Sequence, residues 1–125
     1  MSLEQNKQIV IEFYQTAMDG DPEKAAAAHM GAKYVQHNPG AADGPEAFIG
    51  FMRFVRGRFP NLRLNIKRVI AEGDLVVVHS HLDLEPGNPG QALADIFRVE
   101  GDKVVEHWDV IQAVPADSAN PHGMF

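Results

Sequence analysis

The sequence contains no cysteine, which removes thiol nucleophiles, thiolate metal sites and disulfides together. Hydroxyls are scarce as well. Ser2, Thr16, Ser80 and Ser118 are the complete set of serines and threonines, and no G-x-S-x-G elbow frames any of them. A serine hydrolase is therefore not indicated. Neither a Gly-rich phosphate loop nor an H-E-x-x-H pair is present. No apolar run approaches the roughly 18 residues that span a bilayer, and MSLEQNKQIV, with Glu4 near its start, does not read as a secretory leader. Basic residues are outnumbered, 11 against 17 acidic ones, for a net charge of −6. Such a surface repels phosphate backbones. The expectation is a soluble, cytoplasmic protein with neither nucleic acid nor membrane among its partners.

What is present suits one globular domain. The 125 residues are 45% hydrophobic and 22% charged, enough to bury a core without a disulfide or a structural metal. Ile9, Val10, Phe13, Tyr14, Ala17 and Met18 have the spacing of one helical face, predicting a helix over residues 3–19 that Gly20 ends. Asp21-Pro22-Glu23 opens a second helix, with Asp21 as cap and Pro22 in the first turn; Gly31 is expected to close it. Lys33 to Asn38 reads as a short strand stopped by Pro39-Gly40. Asp43-Gly44-Pro45-Glu46 opens a third helix, which shows Phe48, Phe51, Met52 and Val55 on one face and ends before Pro60.

Everything from Asn61 to Ala113 alternates as strands. The alternation slips between Lys67 and Val69, where a bulge is expected. Tight turns fall at Gly73-Asp74 and Gly101-Asp102, and a Pro/Gly-rich loop at residues 85–90. Three N-terminal helices and then an antiparallel meander make an α+β arrangement. A curved sheet of about four to five strands would be closed on one side by the helices, leaving a pocket where they do not reach. The domain is expected to be an α+β barrel over residues 1–114, with an irregular tail over 115–125. Met124 and Phe125 in that tail suggest a contact with a second copy.

The informative residues are polar ones in strands. Asp95 sits in QALADIFRV, where aspartate is disfavoured; alternation places it with Phe97 and Val99. On a concave face, burial would raise its pKa and make it a stronger base. On an edge strand it would instead be a carboxylate held by an arginine. His79 and His81 share one face with Leu75 and Val77, as a pocket wall turning polar near its mouth would. A His-x-His pair could also begin a metal site completed by Asp95, His37 or His107, but the spacing of the later ligands is arbitrary, so no metal is expected. Tyr34, Gln36, His37 and Asn38 bring further hydrogen-bonding groups, with Asn38 read as turn chemistry. In the last strand, a plain two-residue turn would pair Asp95 with Trp108; a bulged one would put His107 and Asp109 on the face of Asp95.

The segments KYVQHNPGAADG, DIFRVEGDKVVEHWDVIQ and SANPHGMF resemble the SnoaL-like, polyketide-cyclase-like proteins predicted to catalyse aldol condensations. These belong to the wider superfamily of nuclear transport factor 2, ketosteroid isomerase and scytalone dehydratase. The resemblance runs from the first helix to the last residue. It implies a cone of bent antiparallel sheet closed by helices, and homodimers formed through the sheet's outer surface. It also implies that Asp95 is the acid/base of an aldol ring closure, with His81 or His79 beside it.

On that basis Asp95 and His81 are the expected catalytic residues. His37, His79, Tyr14, Tyr34, Phe51, Phe97, Trp108, His107 and Asp109 are the expected pocket residues. The ligand would be a small apolar or ring-containing carbonyl compound, and proton transfer alone requires no cofactor. A non-catalytic binder of an apolar molecule, or a hydrolase or dehydratase on the same scaffold, are the other readings.

Overall fold

The computed structural model describes residues 2–125. Helix α1 (Leu3–Met18) starts at a capping box, in which the Ser2 hydroxyl accepts from the Gln5 N–H and Gln5 Oε1 accepts from the Ser2 N–H. Two donors left open by a helix start are thereby satisfied. Val10, Phe13, Tyr14, Ala17 and Met18 form its buried stripe. Helix α2 (Pro22–His29) begins as the sequence predicts, with Asp21 accepting from the Lys24 N–H. It ends without help from Gly31, because strand β1 (Met30–Gln36) starts at the very next residue. Gly31 lies inside that strand, where a Cβ would come 2.9 Å from a Val105 methyl. The glycine serves a close approach, not a helix stop.

Helix α3 (Pro45–Arg58) buries Phe48 and Met52. Strands β2 (Arg63–Glu72), β3 (Leu75–Asp83), β4 (Gln91–Glu100) and β5 (Lys103–Ala113) follow. They form an antiparallel meander. The β2 bulge falls between Ile66 and Arg68, within a residue of its expected place. The sheet order is β1-β5-β4-β3-β2, and β1 runs parallel to β5. The expectation of an all-antiparallel sheet is corrected there. Only hairpins force antiparallel neighbours, and β1 is delivered by α2. Because β1 and β2 remain free edges, the sheet is open and not a closed barrel.

The helices cover the concave face. Phe13 of α1 packs on Phe48 of α3 and Phe97 of β4, with ring centroids 5.1 and 6.0 Å away. Val10, Phe13, Val76, Val78 and Val104 are wholly buried around them, each contributing about 1.5–3 kcal/mol. The tail runs back over the outer face of its own sheet, where Phe125 stacks on His81 at 4.4 Å. Among the described residues, no helix is long and apolar enough to cross a membrane.

Candidate active site

Two features of β5 decide what faces Asp95. The hairpin before it is a tight two-residue turn, with Gly101 and Asp102 both at positive φ and Glu100 opposite Lys103. One step later the register shifts: Val99 pairs with Val104 but Arg98 with Glu106. Val105 is the extra residue. Asp95 therefore lies opposite Asp109, and Phe97 opposite His107. The inward face of the last strand carries His107 and Asp109, and Trp108 faces outward beside Ile96.

Asp95 is 2% exposed and His107 7%. The carboxylate has two partners: Tyr14 Oη donates to Oδ2 at 2.7 Å, and His107 Nε2 lies 2.7 Å from Oδ1. Burial pushes the Asp95 carboxyl up, against the opposing pull of its hydrogen bonds to His107 and Tyr14. Burial first, and then the charge of Asp95, push the Tyr14 phenol well up. Burial raises Tyr34 likewise. Both phenols therefore keep their protons at neutral pH and remain donors.

Behind the histidine, His107 Nδ1 lies 2.7 Å from Gln36 Oε1, which also accepts the backbone N–H groups of His37 and Asn38 at 3.0 Å each. Asn38 Nδ2 donates to both oxygens of Asp109, at 3.1 and 2.9 Å. These groups line one side of a small cavity of about 60 Å³, whose other walls include Phe48, Phe51 and Met52 of α3. The result is an apolar chamber with one polar wall.

Donor atoms of Asp95, His107 and Asp109 lie within 4.8 Å of one another, close enough to surround a cation. Each is already engaged by a protein partner, so the arrangement is a hydrogen-bonded network rather than an open ligand set.

A SnoaL-like domain model matches residues 10–107. The chain belongs to the SnoaL-like family. Solved structures agree on the fold. A candidate polyketide cyclase from Acidithiobacillus ferrooxidans superposes with a TM-score of 0.74 at 22% identity, over 89% of this chain and 91% of that one. A candidate ketosteroid isomerase from Kribbella flavida gives 0.74 at 18%, over 97% and 85%. AclR, a candidate hydroxylase from Streptomyces galilaeus, gives 0.72 at 23%, over 89% and 91%. No curated protein sequence matches the chain significantly.

Within this SnoaL-like domain the expected residues separate into two groups. Asp95, Tyr14, Tyr34, Phe51, Phe97, His107 and Asp109 all line the cavity. His79, His81, His37 and Trp108 do not. Val78 is opposite Asp95, so even-numbered β3 residues share its face and His79 and His81 point outward. The pairing of His81 with Asp95 is thus corrected: His81 is hydrogen-bonded to Pro89 O at 2.8 Å and lies under Phe125. His79 contacts Arg68. His37 stacks on Trp108 outside the sheet, with centroids 4.8 Å apart, and pairs with Glu106 at 2.7 Å. Hydrogen bonds from His37 and Arg98 hold the Glu106 carboxyl below its ordinary value.

Two polar members of this wall were absent from the expected pocket residues. Gln36 signals itself only as one of the hydrogen-bonding groups that precede the Pro39-Gly40 turn. Asn38 has the turn role expected of it, its Oδ1 accepting from the Gly40 N–H at 2.7 Å, but its amide nitrogen also holds Asp109.

Proposed function

We propose that this protein is a small-molecule acid/base enzyme of the cyclase or isomerase type, moving a proton α to a carbonyl, with Asp95 as the acid/base. The observation that carries this reading is a nearly fully buried carboxylate facing an apolar cavity between a tyrosine and a histidine, where burial pushes its pKa up. The likeness in fold to a candidate polyketide cyclase and a candidate ketosteroid isomerase is consistent with it.

In the proposed reaction, Asp95 Oδ2 takes the α-proton as a ring-sized carbonyl compound displaces the Tyr14 hydroxyl from it. Tyr14 then donates to the developing enolate oxygen, with Tyr34 as the second phenol within the cavity. His107 stays on Oδ1 and steadies the carboxyl as it gains its proton. The enolate carbon either attacks a second carbonyl, as in aldol closure, with Asp95 returning its proton to the alkoxide so formed, or, where the enolate is conjugated, Asp95 returns the proton to a different carbon. A positioned acid/base group supplies roughly 10²–10⁴-fold, enough for an activated carbon acid. A cavity of about 60 Å³ holds no more than a few water molecules. A ring therefore enters only if the apolar wall of α3 moves outward, and Phe51, already 37% exposed, lies at that wall.

The water-sized cavity favours a second reading, in which Asp109 and Asn38 hold a water for hydration or dehydration chemistry. Incubation in deuterated buffer with ketones, β-keto esters and cyclic diketones, followed by NMR, separates the two. Exchange at the α-carbon that Asp95→Asn abolishes supports the first. No exchange with compounds that demonstrably bind leaves the water-based reading or a non-catalytic binder.

The protein is further proposed to pair with a second copy through its outer sheet face, where Ile70, Val77, Ile96 and Trp108 form a row across four strands. Ile70 is 58% exposed there, and Ile70→Glu should convert a sedimenting dimer to monomer.

A further inference from the structure

We infer that Gln36 is a positioning residue: it holds His107 in the tautomer that carries hydrogen on Nδ1, and so makes Asp95 and His107 hold one proton between them. The role for the chemistry rests on the proposed reading of Asp95 as acid/base, while the proton placement itself rests on hydrogen-bond geometry.

The side-chain atom of Gln36 at the centre of this network must be its oxygen. It lies 3.0 Å from the backbone N–H groups of both His37 and Asn38, and an amide nitrogen there would set donor against donor. An oxygen so placed can only accept. His107 Nδ1, 2.7 Å away, therefore carries the hydrogen. A neutral ring with hydrogen on Nδ1 has a bare lone pair on Nε2. That lone pair points at Asp95 Oδ1 from 2.7 Å.

An ionised Asp95 cannot face that lone pair without repulsion, and the near-complete burial of both residues strengthens it. The contact requires one further proton on the line between the two atoms. Either Asp95 is a carboxylic acid donating to Nε2, or His107 is an imidazolium donating to a carboxylate. The net charge of the pair is zero in both cases.

Moving the ring hydrogen from Nδ1 to Nε2 would free the pair from this requirement, but it would turn a bare Nδ1 towards the Gln36 oxygen. Gln36 thus closes the one route by which the pair could sit as an ionised carboxylate beside a neutral histidine. The other ionisable groups facing the pair are Tyr14 of α1, Tyr34 of β1 and Asp109 of β5; α3 contributes apolar side chains to the cavity. Tyr14 already donates to Asp95 Oδ2 and cannot supply the missing proton to Oδ1.

The test is long-range proton–nitrogen NMR of the histidine rings in the ¹⁵N-labelled full chain, from about pH 6 to pH 8, where an ordinary histidine changes charge. Wild-type His107 is expected to show a protonated Nδ1 throughout. Its ring hydrogen should exchange slowly and show NOEs to the backbone N–H protons of His37 and Asn38. Gln36→Glu, which keeps an acceptor, should preserve that pattern. Gln36→Met, which removes it, should move the hydrogen to Nε2 at the upper end of the range. A bare Nδ1 with protonated Nε2 in the wild type overturns the inference, as does a folded Gln36→Met protein that retains the wild-type tautomer. Should Gln36→Met fail to fold, the wild-type NOEs decide alone: a ring hydrogen near neither backbone amide overturns it. The readout is independent of turnover, so the lock can stand while the exchange assay of Asp95 fails, and the reverse.

Discussion

Asp95 and His107 meet at 2.7 Å from adjacent strands whose hairpin alone would have kept them on opposite faces. The extra residue at Val105 brings them together. By turning the later half of β5 over, it exchanges an outward histidine for an inward one, and the only tryptophan goes to the outside.

His107 and His81 should therefore behave oppositely. His107→Gln is expected to lower α-proton exchange about 10²-fold, the lower end of what a positioned acid/base group supplies. His81→Gln, altering the outer face, should leave the rate unchanged. Equal losses measured in the same exchange assay would contradict the assignment of faces.

Stability should report on Asp95 through pH. Burial raises its folded-state value above the ordinary 3.8, so between the two values the folded protein binds the extra proton. The stability from this group is full below the unfolded value and is lost as pH rises through the folded one. Asp95→Asn removes that titration, and its amide can donate to His107 Nε2 while its oxygen accepts from Tyr14. In urea unfolding, the advantage of the variant over wild type should grow from about pH 4 towards neutrality. An advantage that shrank over that range would place the folded value below 3.8.

The bulge also constrains β1. A Cβ on Gly31 would lie 2.9 Å from Val105 Cγ1 and 3.3 Å from the Lys33 carbonyl oxygen. Gly31→Ala should cost about 1–3 kcal/mol by overpacking, and Val105→Ala should restore part of that loss. A double-mutant cycle by denaturant unfolding measures the coupling; additive effects would mean the two residues do not press on each other.

Ser80 is fully buried, and its Oγ has no hydrogen-bond partner among the described residues. Ser80→Ala removes a buried hydroxyl that none of these residues pairs, and should raise stability by about 1 kcal/mol. A loss of similar size in the same unfolding experiment would reveal a partner for the hydroxyl.

The sequence by itself determined the order of elements, because helical spacing in residues such as Phe13 and Tyr14, caps such as Asp21, and alternation around Asp95 are local properties. It also marked Asp95 as anomalous, since a carboxylate between Ala94 and Ile96 in a strand is disfavoured wherever the strand lies. Only the tertiary structure decided which histidine Asp95 meets. With a side-chain period of two, a single extra residue turns every later side chain to the other face, and the Gly101-Asp102 turn carries no sign of the bulge that follows it. The parallel pairing of β1, and with it the placing of Gln36 behind His107, came from contacts between residues some seventy positions apart. Local pattern cannot encode such a contact, because it depends on how α2 delivers the strand to the sheet edge.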